Sequence, residues 1–172
     1  GNESSATLGS TNFDIAITKC EKSIQLHSIK KRPQVDAGKK QTPKMKAYLA
    51  RKEFNPFLKN AWLLMGKAQF QKGDFSAASA TFSYITRLYA AEPLVANEAR
   101  IWQARCYSAL DWYYDAEESL SAAERDTLDK ALGILRDATK ADLLLQQGKF
   151  ADALPYLANA ADAEKNKIKK AR

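Results

Sequence analysis

The feature that most constrains this chain is an internal repeat. The small residues Gly66, Ala104 and Ala141 lie 38 and then 37 residues apart, and aligning them brings the surrounding positions into register. A turn-forming residue follows at +7, an aromatic at +9, an alanine at +12 and a large apolar residue at +16. In chain order these are Gly73, Asp111 and Gly148, then Phe75, Tyr113 and Phe150, then Ala78, Ala116 and Ala153, then Phe82, Leu120 and Leu157. Each copy predicts two helices joined by a tight turn, and the copies stack because one pair cannot bury its apolar face alone.

Composition agrees with an all-α fold, since 172 residues contain only 7 Gly and 5 Pro. We expect the small residues of the first helices to face the alanines at +12 of the second helices, so that the two backbones approach closely. Gly73 and Gly148 are expected to end their helices with positive φ, and Asp111 to take the same conformation in the second copy. Cys20 and Cys106 are expected to be buried core residues, although a disulfide stays open.

The repeat divides the chain into segments. Residues 57–93, 94–128 and 129–163 form three full repeats, with 124–133 expected to prolong the next first helix. Residues 1–28 are predicted to hold a second helix alone, over 12–27, and 164–172 to begin a further repeat. Between the partial repeat and the first full repeat, residues 29–56 are predicted to form a basic, mobile loop followed by a helix from about Pro43. Both ends therefore look cut from a longer array, and cut ends would permit a non-physiological dimer.

The first repeat resembles the tetratricopeptide family, because Trp62, Gly66, Gly73, Phe75, Ala78, Phe82 and Ile85 occupy the family's signature places. The resemblance extends over about residues 57–163 and implies a right-handed α-α superhelix that binds proteins along its concave face. The residues it places there are Asn60, Leu63, Lys67, Phe70, Gln71, Ile101, Arg105 and Ser108. Lys67 and Arg105 fall at equivalent positions, so they either hold an acidic segment of a partner or are solvated charges without one.

Longer strings carry a narrower resemblance. KCEKSIQLHSIKKRP, EFNPFLKNAWLLMGKAQFQKGDFSAASATFSYI and ANEARIWQARCYSAL are similar to the N-terminal region of tetratricopeptide lipoproteins of Bacteroidetes, of the SprE/PorW type. That resemblance implies a place in gliding motility or type IX secretion, at the periplasmic face of the outer membrane. Envelope proteins are the implied partners, and membrane attachment is implied only through a lipid anchor outside this sequence.

The chain offers little for catalysis. His27 is the only histidine, no phosphate-binding Gly-rich loop occurs, and the cysteines lack metal-ligand spacing, so we expect no enzyme, cofactor or metal. Trp112, at a predicted turn, is expected to be partly exposed and to offer a contact. A second hypothesis is polyanion or nucleic-acid binding through the lysines of 30–46. Aromatics are not interleaved with these lysines, so nucleic acid is not the expected partner.

Overall fold

The computed structural model describes residues 3–124 and 128–170. All regular structure in these ranges is α-helical, which confirms the all-α prediction. The helices are α1 (Glu3–His27), α2 (Pro43–Leu49), α3 (Leu58–Lys72), α4 (Phe75–Leu88), α5 (Pro93–Ala109), α6 (Tyr113–Glu124), α7 (Lys130–Gln146) and α8 (Phe150–Lys170). None of these helices is both long enough and apolar enough to cross a lipid bilayer.

The helices pack in consecutive pairs, and neighbouring pairs contact each other. Helices α3 and α4, α5 and α6, and α7 and α8 contact each other across short turns. The second helix of one pair also packs on the first helix of the next, α4 on α5 and α6 on α7, and α1 packs on α3 in the same way. First helices α3, α5 and α7 touch side by side, so they form one layer.

The turns inside the three pairs share one backbone geometry. Gly73, Asp111 and Gly148 have φ of 89°, 61° and 74°, which confirms the left-handed conformation predicted for all three. After Gly73 the amide of Asp74 donates to the carbonyl of Gln69 at 3.0 Å, five residues back. The corresponding bonds join Trp112 to Tyr107 at 2.8 Å and Lys149 to Leu144 at 2.9 Å. This is the Schellman arrangement, which satisfies carbonyls at the end of the first helix and reverses the chain.

The small residues of the repeat lie where the paired helices meet. Ala78, Ala116 and Ala153 are fully buried, as are Ala104 and Ala141. At Gly66 the nearest side chain is that of Phe82. A β-carbon on Gly66 would lie 2.7 Å from the ring of Phe82, one turn further along α4. The close approach in the first pair therefore makes room for an aromatic ring.

Two helices are longer than the repeat predicted. Helix α1 begins at Glu3, not at residue 12, and α8 runs unbroken through residue 163 to Lys170. Residues 164–170 thus extend an existing helix, because this Lys-rich segment contains no glycine or proline. Of the expected extension over 124–133, residues 125–127 lie outside the described ranges, as do 1–2 and 171–172. Helix α7 begins after Asp129, whose side chain caps the amide of Leu132 at 2.8 Å.

Candidate functional site

The layer of first helices carries an open pocket of about 290 Å³. Asn60 and Leu63 of α3, both predicted to line the binding face, border it together with Leu94 and Glu98 of α5 and Leu135 of α7. Asn60, Glu98 and Leu135 stand at the same position of the three repeats, six residues before the small residue. The repeat therefore places equivalent side chains around one shared depression. We call this pocket the first-helix groove, and we include in it Lys67, which pairs with Glu98 of the lining, and Arg105, which lies against Trp102 as Lys67 does.

Lys67 is not a free cation in this groove. Its Nζ donates to Oε1 of Glu98 at 2.7 Å, and both side chains are partly exposed. The ammonium also lies 5.6 Å from the ring centroid of Trp102. Since α3 supplies the lysine and α5 the glutamate, the pair joins two successive repeats. To bind a partner's carboxylate, Lys67 would have to contact it in addition to Glu98 or release Glu98.

Arg105 has a different environment from its repeat equivalent. Its guanidinium lies over the ring of Trp102 at 4.4 Å and near the ring of Phe70 at 5.5 Å, both cation–π distances. Burial lowers the pKa of Arg105, although the nearby Asp142 opposes the shift. The group still carries its charge, because guanidinium does not lose its proton in proteins. Lys67 and Arg105 thus lie against the same aromatic ring, that of Trp102, but of the two only Lys67 has an ion-pair partner at 4.0 Å or less within the described ranges.

The other predicted groove residues divide by exposure. Gln71 is exposed and Phe70 is half-buried against Phe75. Ile101 is fully buried, and Ser108 is 3% exposed with its hydroxyl donating to Oε1 of Gln146 at 2.8 Å. Ile101 and Ser108 therefore hold the first helices together and offer almost no surface to a partner.

Trp112 lies at the turn between α5 and α6 and is 52% exposed. Its ring stacks on Tyr107 with centroids 5.8 Å apart, and neighbouring Tyr114 is exposed as well. Aromatic surface of this kind is available to a contact, separate from the lining of the first-helix groove.

Cys20 and Cys106 are both buried and unbonded, which confirms the core interpretation. Burial raises the pKa of the Cys106 thiol to about 12 and raises that of Cys20, so neither is a thiolate nucleophile near neutral pH. Within the described residues, no three His, Cys, Asp or Glu side chains are grouped as metal ligands.

Sequence reasoning missed a buried carboxylate at the base of the insertion. Glu53 is 2% exposed and accepts hydrogen bonds from the Ser28 hydroxyl, the Ile29 amide at 2.8 Å and the Asn55 amide at 2.9 Å. The amide of Phe54 in turn donates to the carbonyl of Ile29 at 2.8 Å. We call this arrangement the Glu53 clasp, since it closes the two ends of the insertion on each other. Its one sequence signal is an isolated glutamate directly after a run of cations.

Hydrogen bonding keeps this carboxylate charged. Burial alone would raise the pKa of Glu53, but the bonds from Ser28 and from the backbone of Asn55, Ile29 and Phe54 outweigh it and lower the pKa. The amide side chain of Asn55 adds a further link, donating to the carbonyl of His27 at 2.9 Å. The clasp therefore depends on an ionised acceptor.

Comparison with protein-family models, with curated proteins and with solved structures found no match. The function is therefore argued from the sequence and the geometry above.

Proposed function

We propose that this chain is a non-catalytic scaffold of the tetratricopeptide type, which binds other proteins along the first-helix groove. The observation that carries the proposal is the repeated geometry: three helix pairs with the same left-handed turn, and first helices side by side in one layer. A layer built in this way presents equivalent positions of successive repeats to one ligand. The right-handed superhelix of that family is part of the proposal.

The envelope location belongs to the same proposal. Its support is the similarity of three long strings to tetratricopeptide lipoproteins of Bacteroidetes, of the SprE/PorW type. On this basis the partners are envelope proteins of a secretion or gliding-motility assembly at the periplasmic face of the outer membrane, and no cofactor is involved.

Affinity capture from cross-linked cell envelopes tests the proposal. The bait is compared with a Lys67→Gln/Arg105→Gln variant and with a control, Lys149→Gln/Lys165→Gln, which removes the same charge from exposed positions outside the groove. We expect specific envelope proteins with wild type and control, and their loss with the groove variant. Equal recovery with all three baits would contradict groove binding, and recovery of no protein would contradict the scaffold function.

A second candidate, polyanion binding through residues 30–46, is favoured by the distribution of charge. The chain has 27 Lys and Arg against 20 Asp and Glu, and the insertion, 29–56, holds nine of the former and two of the latter. The remaining residues therefore balance at 18 and 18, and the whole net charge of +7 lies in the insertion. A fluorescence-anisotropy titration with single-stranded DNA and RNA at low salt tests this candidate, and flat curves would eliminate it.

A further inference from the structure

A second open pocket, of about 370 Å³, lies between the base of the insertion and the end of α4. Three cations line it, Lys30 and Lys52 from the insertion and Arg87 from α4, together with Tyr84 and Leu88. No sequence motif connects these residues, because the two lysines are 22 positions apart and the arginine lies on another helix. We call it the clasp pocket.

The Glu53 clasp explains why the two lysines meet. Lys30 follows Ile29 and Lys52 precedes Glu53, so the bonds from Ile29 to Glu53 and from Phe54 to Ile29 bring both lysines to the same place. On the third side of the pocket, Tyr84 packs against Trp62, with ring centroids 4.9 Å apart and ring planes tilted by 34°. The positions of Lys30 and Lys52 are therefore set by the hydrogen bonds of the clasp, and that of Arg87 by helix α4.

Their charges are not balanced by the protein. Within the described ranges, Lys30, Lys52 and Arg87 have no carboxylate at 4.0 Å or less, whereas Lys67 and Lys140 each have one. Lys30 instead approaches the hydroxyl of Tyr84 at 3.5 Å, and Arg87 approaches that of Ser83 at 3.5 Å. The nearby Glu53 is committed to the clasp. Three exposed like charges around one pocket repel each other, and an anion would relieve that repulsion.

The apolar part of the pocket lining indicates which group of the ligand would lie beside the anion. The buried side chain of Leu88 and the ring of Tyr84 make the surface between the cations largely apolar. The Tyr84 ring is already in tilted contact with Trp62, and Arg87 lies 5.9 Å from its centroid, so little of this ring is left for a nucleobase. An aliphatic side chain with carboxylates beside it fits this combination better than a nucleotide does.

We propose that the clasp pocket binds an acidic segment of a partner protein, with an aliphatic side chain in the pocket and flanking carboxylates paired with Lys30, Lys52 and Arg87. This inference rests on the proposed scaffold function and names the chemistry of one partner segment. It also assigns two of the nine cations of the insertion, Lys30 and Lys52, to protein recognition.

Fluorescence anisotropy with the full chain tests it, with a short labelled peptide that carries one leucine between glutamates. The pocket variant, Lys30→Glu/Lys52→Glu/Arg87→Glu, is compared with a control, Lys39→Glu/Lys40→Glu/Lys44→Glu, which makes the same charge change at exposed positions elsewhere in the insertion. We expect the pocket variant to weaken binding on the order of tenfold or more, and the control by about twofold. Circular dichroism checks that both variants keep the helical content of wild type.

Two further ligands sharpen the result. A peptide with serine in place of the leucine should bind on the order of fivefold more weakly, because it leaves the apolar lining unfilled. Equal weakening by both triple variants, or equal binding of the serine peptide, would overturn the pocket in favour of general attraction to the insertion. Displacement of the peptide from wild type by single-stranded DNA of equal charge, with higher affinity, would overturn it in favour of a polyanion site.

This test is separate from that of the scaffold function. If the peptide fails to bind while capture still recovers envelope proteins that need Lys67 and Arg105, the clasp pocket fails and the scaffold stands. If capture recovers no protein although the peptide binds at the pocket, the scaffold function fails and the peptide result alone remains.

Discussion

The helix pairs and the basic insertion differ in the balance of their charges and in the burial of their apolar side chains. In the pairs, charges of both signs balance and the largest apolar groups, such as Phe82, Ile85 and Ile101, are fully buried. In the insertion, 29–56, the charge reaches +7, and between Ile29 and Thr42 one backbone hydrogen bond is formed, from Lys39 to Asp36. Folding energy is thus concentrated in the pairs, and unbalanced charge in the insertion.

The largest effect should come from the centre of the first pair. Phe82→Ala removes a fully buried ring that stacks on Trp102, so we expect a loss of about 3–5 kcal/mol in the free energy of unfolding, measured by urea denaturation. The control is Leu157→Ala, the same repeat position on α8, where the side chain is 39% exposed. That change should cost less than about 1 kcal/mol. Equal losses would show that α8 is covered in solution.

The next effect tests the close approach in the same pair. Gly66→Ala places a methyl group against the Phe82 ring, and overpacking of this kind costs about 1–3 kcal/mol. Gly133→Ala is the matched control, because nothing lies within 4 Å of a β-carbon there. It should stabilise the protein by up to about 1 kcal/mol, since alanine favours a helix. Thermal unfolding measures both, and a stabilising Gly66→Ala would contradict the packing described.

The repeat could be predicted from the sequence, whereas the contacts between separate helices could not. The positive φ at Gly73, Asp111 and Gly148 follows from a local pattern, so it was predictable. The pairing of Lys67 with Glu98 was not, because it depends on the offset between two helices that periodicity does not define. The Glu53 clasp was even less predictable, because Glu53 bonds to Ile29 and Ser28, which are 24 and 25 positions away, and no motif connects them.

A loss of similar size is expected where the two regions join. Glu53→Gln removes the charge from a buried acceptor of two amides and a hydroxyl, and should cost about 1–3 kcal/mol, with faster hydrogen exchange at the Ile29 and Asn55 amides. The lowered pKa of Glu53 sets the sign with pH. Stabilisation is fully present above the unfolded-state pKa of about 4.3 and is lost as pH falls through the lower folded-state value. Protection of Ile29 that is unaffected by acid or by Glu53→Gln would contradict the clasp.

The smallest effect should come from the exposed insertion itself. Lys39→Glu/Lys40→Glu reverses two charges at exposed positions, where Lys39 has only a surface ion pair with Asp36, so the free energy of unfolding should stay within about 0.5 kcal/mol of wild type. Chemical denaturation measures it. A loss as large as that of Gly66→Ala would mean that the insertion contributes to the folded core.

Hydrogen exchange along the whole chain tests the division between the two regions most directly. The account predicts the slowest exchange in α3, α4, α5 and α7, and rapid exchange over residues 30–42, with the Ile29 and Phe54 amides protected at the boundary. Exchange over 30–42 as slow as that of α5 would contradict it, because the insertion would then be part of the packed fold and not a charged segment clasped at its base.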